Sequence, residues 1–359
     1  MAEAPSSALL FIPDISGFTR FVNDNEIAHS RLLIEELLET LIDSDVLGLK
    51  VSEIEGDAIL FYRPGPAPEP KALVEQARIM FIAFHQCLKA NERNRICPCE
   101  ACRSAVGLTL KFVMHQGNIS LLKVKKREKL FGSDVILAHR LLKNKVPDHE
   151  YVLATESLRI DTLGNTSAYS WFSASRASEV YDANPVSYHF ASLQPLHTEM
   201  SEPAPIAIRQ FRSNRPLQFE RYIAAGPEKL FSLFADIPGR TRFVAGMQSA
   251  RIEDQRHNHI IRTGLLYECL IDGKVIRYVI SAADVGPGRM VLSETDLDQP
   301  VTIDWIVELQ GIGCQVKIAV HSALGPLAQL GFMLFRRRTL EARMRKTLDN
   351  LQHLAAALA

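Results

Sequence analysis

The sequence predicts an α+β chain of two domains, the first a mixed sheet with helices packed on one face, the second an antiparallel sheet closed by one long helix. Three observations carry this expectation. Short apolar runs alternate with helical stretches up to about residue 195; a proline-rich, polar segment without periodicity, QPLHTEMSEPAPIAIRQFRSNRP, follows; strand-like alternation then recurs until a long amphipathic stretch near the C-terminus. The expected domains are residues 1–195 and 217–359, joined by a linker over 196–216. With 359 residues, each half is long enough to bury a core of its own.

Element by element, the apolar run in LLFIPDISGFTRF reads as a strand ending near Asp14. Leu33, Leu37 and Leu41, beside Ile34 and Leu38, give one wide apolar face to a helix over 29–43. Val51 to Ile54 and Ala58 to Tyr62 flank a Gly-Asp turn, as a hairpin does. After the RPGPAPEP loop, Ala72 to Ala90 reads as a second helix. Two strands, Leu108 to Met114 and Asn118 to Val124, are expected around a turn at His115, Gln116 and Gly117, with a helix from about Ser133 to Leu142 after them. In the second half LQFERYIAA is a strand and GPEKLFSLFADIPGRTRFV supplies one or two short helices. Six alternating runs between Ala250 and His321 and a helix from about Pro326 to Leu358 complete the chain.

The 41 basic and 41 acidic residues cancel, so no global field draws the chain to nucleic acid or anionic lipid. MAEAPSSALLFIPD has no basic n-region, and the apolar run at Leu324 to Phe335 contains Pro326 and Gln329 and is too short to span a bilayer. A cytoplasmic protein without a transmembrane segment is expected. Six cysteines, three of them in one loop, do not form the pattern of a secreted disulfide framework.

The chemistry concentrates at Asp14 and Asp57. If their strands share a sheet, the two carboxylates meet, and at about 4 Å with an effective dielectric near 20 they repel by roughly 4 kcal/mol. A shared proton or a cation relieves that, and a hard divalent ion held by carboxylates and phosphates is the usual magnesium arrangement. Each aspartate alone also reads as an N-cap or a turn residue.

FIPDISGFT, the EGDAILF hairpin and LFGSDVILAHRLL together resemble the catalytic domain of class III adenylate and guanylate cyclases over roughly residues 8 to 160. The resemblance implies a ferredoxin-like sheet, with Asp14, Asp57 and the backbone carbonyl of Ile15 holding Mg2+ or Mn2+. Gly17, Phe18 and Thr19 would open a helix whose free amides receive triphosphate oxygens of a purine nucleotide. Arg140 falls where the family has its transition-state arginine. Ile136 falls where it has a catalytic asparagine, and isoleucine has no donor to give. Glu53 and Lys129 fall at the base-reading positions, with charges swapped relative to adenylate cyclases; as plain residues they read as a cross-strand ion pair. In homodimeric members the metal aspartates come from one subunit and the base and arginine contacts from the other, so a complete site implies a homodimer. The expectation is a degenerate cyclase domain that binds nucleotide and metal with little or no turnover; an active purine nucleotidyl cyclase is the alternative.

Cys97, Cys99 and Cys102 in CPCEAC can present three thiolates to one zinc ion, with Cys87, His85 or His115 as a fourth ligand; free thiols or one redox disulfide remain equally open. The basic runs KVKKREK and FRRRTLEARMRK read as solvated surface. The pattern of the second half, a strand, short helices, a run of antiparallel strands and a long terminal helix, resembles the START-like helix-grip fold of the polyketide cyclase or Bet v 1-like superfamily. That implies a hydrophobic small molecule or lipid as ligand, in a cavity that Leu230, Phe234, Tyr267, Tyr278, Trp305, Leu330 and Phe332 can line, although each also reads as a core residue. A third reading follows, in which the second domain binds the apolar ligand and the first only dimerises.

Overall fold

The computed structural model describes residues 6–18, 21, 27–94, 104–125, 127–163, 169–181, 184–204, 207–253, 262–286, 288–323 and 337–357. The chain divides into two compact units, residues 1–92 with 100–203 and residues 93–99 with 204–359. The division at 203/204 falls inside the segment expected as a linker, and that segment is not free chain. Leu196 is fully buried in the first unit, while Phe211 N donates to Thr302 Oγ1 (2.9 Å) and Ser213 N to His321 Nδ1 (3.1 Å) in the second. Polar composition concealed this, because the attachment is made by backbone amides to side chains.

In the first unit, β1 (Ser6–Ser16), β2 (Lys50–Glu55), β3 (Ala58–Pro64), β4 (Thr109–Val124), β6 (Tyr151–Thr155), β7 (Ser175–Tyr181) and β8 (Asn184–Ser192) form a mixed sheet in the order β2-β3-β1-β4-β6-β8-β7. β5 (Arg127–Phe131) pairs with the outer half of β4, and β4 and β6 are parallel. Helices described in full are α1 (Ile27–Asp43), α2 (Pro70–Asn94) and α3 (Ser133–Leu141).

Both faces of the sheet are enclosed. Leu9 and Leu10 point to opposite faces of β1, and both have 0% exposure, so each face of the sheet is covered. One core joins Ala8, Leu10, Ile12 and Val113 to Val135, Ala138 and Leu141 of α3. α1 and α2 are tied by buried polar groups: Asn91 Nδ2 donates to Glu36 Oε2 (3.1 Å), and Gln76, itself fully buried, accepts from Val46 N and Leu47 N and donates to Ser44 O. The Gln76 bonds satisfy backbone groups of Ser44, Val46 and Leu47 in the chain between α1 and β2.

HQG does not turn the chain. β4 is a single 16-residue strand whose residues 109–119 pair with β1 throughout, Gly117 opposite Ala8. Gly117 answers a different need: a Cβ there would lie 2.4 Å from Asp134 Cβ at the start of α3, so glycine lets the helix close onto the strand. The turn comes later, at Lys125 (φ 57°), between β4 and β5.

The second unit is a seven-stranded, wholly antiparallel sheet. It runs β10 (Met247–Ile252), β11 (Leu266–Ile271), β12 (Lys274–Gly286), β13 (Arg289–Asp296), β14 (Val301–Gln310), β15 (Gly313–Ser322) and β9 (Leu217–Ile223). α4 (Pro227–Ala235) and α5 (Arg337–Ala357) accompany it. Met344, Leu348, Leu351 and Ala355 of α5 share a core with Leu230, Phe234, Tyr267, Tyr278 and Trp305. Leu330 and Phe332 lie outside the described residues, as does the start expected for the terminal helix. At the centre sits a charge pair: Arg240 (1% exposed) and Glu294 (2%), 2.5 Å apart, with Trp305 Nε1 donating to Glu294 (2.8 Å) and Arg240 donating to Phe234 O and Tyr267 Oη.

Candidate functional site

Asp14 lies two residues before the end of β1, with Ala58 opposite it on one side and Lys111 on the other. Asp57, one residue before Ala58, occupies the β2-β3 turn with Gly56 (φ 65°), a left-handed position suited to glycine. Ile15 N donates to Asp57 O (3.0 Å), so the turn is sewn to the end of β1. Asp57 is partly buried, and its carboxyl is raised above the usual carboxylate range, by burial first and then by the charge of Asp14; a backbone hydrogen bond and Lys111 pull the other way. The two carboxylates therefore sense one another.

Lys111 is the residue that sequence reasoning missed. Its Nζ lies 2.9 Å from Asp14 Oδ2, both side chains being largely buried, and it also donates to Leu142 O (3.3 Å) after α3. The available signal was a lone lysine inside the apolar run LTLKFVM, at an inward position of a strand antiparallel to β1. Two carboxylates and one ammonium leave the site with one uncompensated negative charge. The donors are hard oxygens, so they fit Mg2+ or Mn2+, with Lys111 as a competitor for Asp14.

Directly after β1, Gly17 takes φ +89° and its carbonyl accepts from Phe21 N (3.0 Å). Thr19 lies outside the described residues, as do Cys97, Cys99 and Cys102. Of the fourth ligands considered for the cysteines, His85 stands beside Glu150 and His197, and His115 Nδ1 pairs with Thr155 Oγ1 (2.8 Å) while its Nε2 lies 3.4 Å from Asp134 Oδ1. Each imidazole already has neighbours that spacing could not reveal.

Glu53 and Lys129 meet: Lys129 Nζ lies 2.8 Å from Glu53 Oε2, on the rim of a cleft of ≈ 380 Å³ lined also by Glu55, Phe131, Gly132, Ile136 and His139. Lys129 is raised by the hydrogen bond and charge of Glu53. Ile136 is 52% exposed and lines this cleft; Arg140 follows one turn later on α3, on the same side.

A family model described as "Protein of unknown function (DUF2652)" matches residues 34–151. That stretch runs from α1 to the start of β6 and so includes Asp57, Lys111, Lys129 and Arg140 but not Asp14. The Mycobacterium tuberculosis protein named "Uncharacterized protein Rv2561/Rv2562" is 36% identical over 121 residues, 34% of this chain and 56% of that protein, so the match spans about half the length of that relative. Solved structures similar to this chain include the adenylyl cyclase CyaB from P. aeruginosa (16% identity, 52% of this chain and 94% of that one, TM-score 0.39). A bacterial light-regulated adenylyl cyclase (14%, 55% and 97%, TM-score 0.40) and the guanylyl cyclase Cya2 (14%, 53% and 94%, TM-score 0.38) are others. These structural neighbours are adenylyl and guanylyl cyclase domains, similar to about half of the chain.

Among the described residues no helix is long and apolar enough to cross a membrane.

Proposed function

We propose that the first domain is a degenerate class III cyclase-type domain that binds a purine nucleoside triphosphate with Mg2+ or Mn2+ and turns it over weakly or not at all. One observation carries the reading: Asp14 and Asp57, far apart in sequence, converge at the end of β1 closely enough that Asp14 raises Asp57. Asp14, Asp57 and the Ile15 carbonyl would hold the ion, which would offset phosphate charge. Ile136 supports weak turnover, because losing one preorganised donor typically costs on the order of a hundredfold in rate. The Glu53–Lys129 pair supports it too, since Lys129 already engages Glu53 Oε2 where a base would need both side chains.

Retained carboxylates and an arginine at position 140 favour a second reading, an active cyclase. A homodimer is part of either. Val51, Ile54, Leu121, Leu122, Phe131 and Ile136 leave large apolar side chains exposed on β2, the β4-β5 hairpin and α3, the kind of surface a second copy covers. For the second unit we propose a START-like helix-grip domain taking a hydrophobic small molecule or lipid, on the strength of the antiparallel sheet and the apolar side of α5 that shares its core. A cytoplasmic location accords with these readings.

The test is calorimetry of the purified full chain with ATP and GTP in the presence of Mn2+ or Mg2+, with cyclic product measured in parallel, for wild type and Asp57→Ala. Metal-dependent nucleotide binding that Asp57→Ala abolishes, with product near background, is the expected result. Robust Asp57-dependent cyclic product selects the active reading; no binding of either nucleotide rejects both.

A further inference from the structure

Away from these carboxylates, three segments distant in sequence bring two imidazoles and a carboxylate together. His85 comes from α2, Glu150 stands immediately before β6, and His197 lies in the short 3-10 turn Gln194–Glu199 after β8. The carboxylate lies between the rings: Glu150 Oε2 is 2.7 Å from His197 Nε2 and Glu150 Oε1 is 3.0 Å from His85 Nε2. One ligand atom from each of the three residues lies within 4.8 Å of the others.

His85 is 7% and Glu150 5% exposed, whereas the His197 side chain is 40% exposed, so the cluster is closed on the protein side and open at one ring. The contact of His85 Nε2 with the carboxylate is short, yet that nitrogen makes no properly directed hydrogen bond and is left unsatisfied in the interior. A buried ring nitrogen that meets a carboxylate without a well-directed hydrogen bond is unusual in a pair kept only for structure. Both rings are also held: His85 packs at 4.4 Å from Phe81 and 5.1 Å from Phe84, and His197 at 5.4 Å from Phe81 and 4.6 Å from His85, centroid to centroid. Their planes are fixed by aromatic neighbours.

From this geometry we propose that His85, Glu150 and His197 form a binding site for a divalent transition ion of the zinc type, separate from the carboxylate site at Asp14 and Asp57. Two imidazole nitrogens and one carboxylate oxygen are the donors such an ion prefers over Mg2+, and three protein ligands leave a fourth position beside the exposed edge of His197. The site does not depend on whether the first domain binds nucleotide.

The test uses the full chain with Cys87, Cys97, Cys99 and Cys102 replaced by serine, so that the thiolates considered as ligands cannot supply the binding. Zinc is titrated against a chromophoric chelator and cobalt is followed by absorption. One equivalent should bind, with weak cobalt d–d bands and no sulfur-to-metal charge-transfer band. His197→Ala, at the most exposed of the three side chains and with circular dichroism confirming that it folds, should weaken binding by about tenfold or more. His85→Gln should do the same, with circular dichroism confirming that it folds. No bound zinc in the serine variant, or binding that His197→Ala leaves unchanged, overturns the proposal.

Discussion

Lys111 Nζ lies 2.9 Å from Asp14 Oδ2, so the carboxylate site carries a cation of its own. Any divalent ion must share or displace it. Lys111→Gln should lower the Tm without metal, because breaking a largely buried ion pair by removing one partner costs on the order of 3 kcal/mol. In the same variant the Mn2+-induced rise in Tm should exceed that of wild type, since the site then lacks its internal counter-charge. Differential scanning fluorimetry with and without Mn2+ measures both. An equal or smaller rise would show that Lys111 and the ion do not compete.

Ile136 stands exposed over the cleft that Glu53 and Lys129 flank, where replacement disturbs no core. Ile136→Asn should raise cyclic nucleotide formation by about tenfold or more if the missing donor limits turnover. Liquid chromatography of reactions with ATP and GTP reads this directly. Unchanged background in a folded variant that still binds nucleotide places the block elsewhere, with the charge-swapped base positions first in line.

His115 is buried on β4, and burial lowers its imidazole against the partial support of Asp134. Thr155 Oγ1 bonds its Nδ1 and in turn meets Ser157 Oγ (3.0 Å). The folded state therefore resists a proton that the unfolded chain accepts near pH 6.5. Stability contributed by the neutral ring is complete above that pH and is lost as pH falls from it toward the lower folded value. Urea unfolding at pH 7.5, 6.5 and 5.5 should show a decline that is shallower in His115→Gln. Parallel slopes in the two proteins would contradict the assignment.

Arg240 and Glu294 are both almost wholly enclosed in the second unit, with Trp305 and Tyr267 around them. Arg240→Met alone leaves Glu294 without its partner and should cost about 3–5 kcal/mol. Arg240→Met combined with Glu294→Leu should cost clearly less than the two single changes added together. Denaturant unfolding of all three variants gives the coupling. Additive losses would mean that the two charges stand independently.

Where local pattern decided conformation, the sequence could be followed to the element. Leu33, Leu37 and Leu41 mark the buried side of α1, and Gly56-Asp57 marks the β2-β3 turn, because helical period and turn chemistry act between near neighbours. Gly117 misled for the opposite reason. Its role is set by Asp134, 17 residues later, and a glycine making room looks the same in sequence as a glycine making a turn. Of the candidate site, the carboxylates were visible through their frames, whereas Lys111 became meaningful only once register set it opposite Asp14. His85, Glu150 and His197 share no spacing at all, and only the sheet order and the packing of α2 bring them together.

Because β4 crosses the first unit without interruption, it works as a ruler. Lys111 at one mark meets Asp14, His115 four residues on meets Thr155, Gly117 receives Asp134, and Leu122 stands opposite Lys129. Moving that strand by a single step would turn every one of these groups to the reverse side of the sheet. Individual positions along it can accept exchange, but a residue gained or lost between 111 and 122 would uncouple the Asp14 end of the domain from its cleft, and natural variation in this chain's relatives should therefore alter the composition of this stretch and preserve its length.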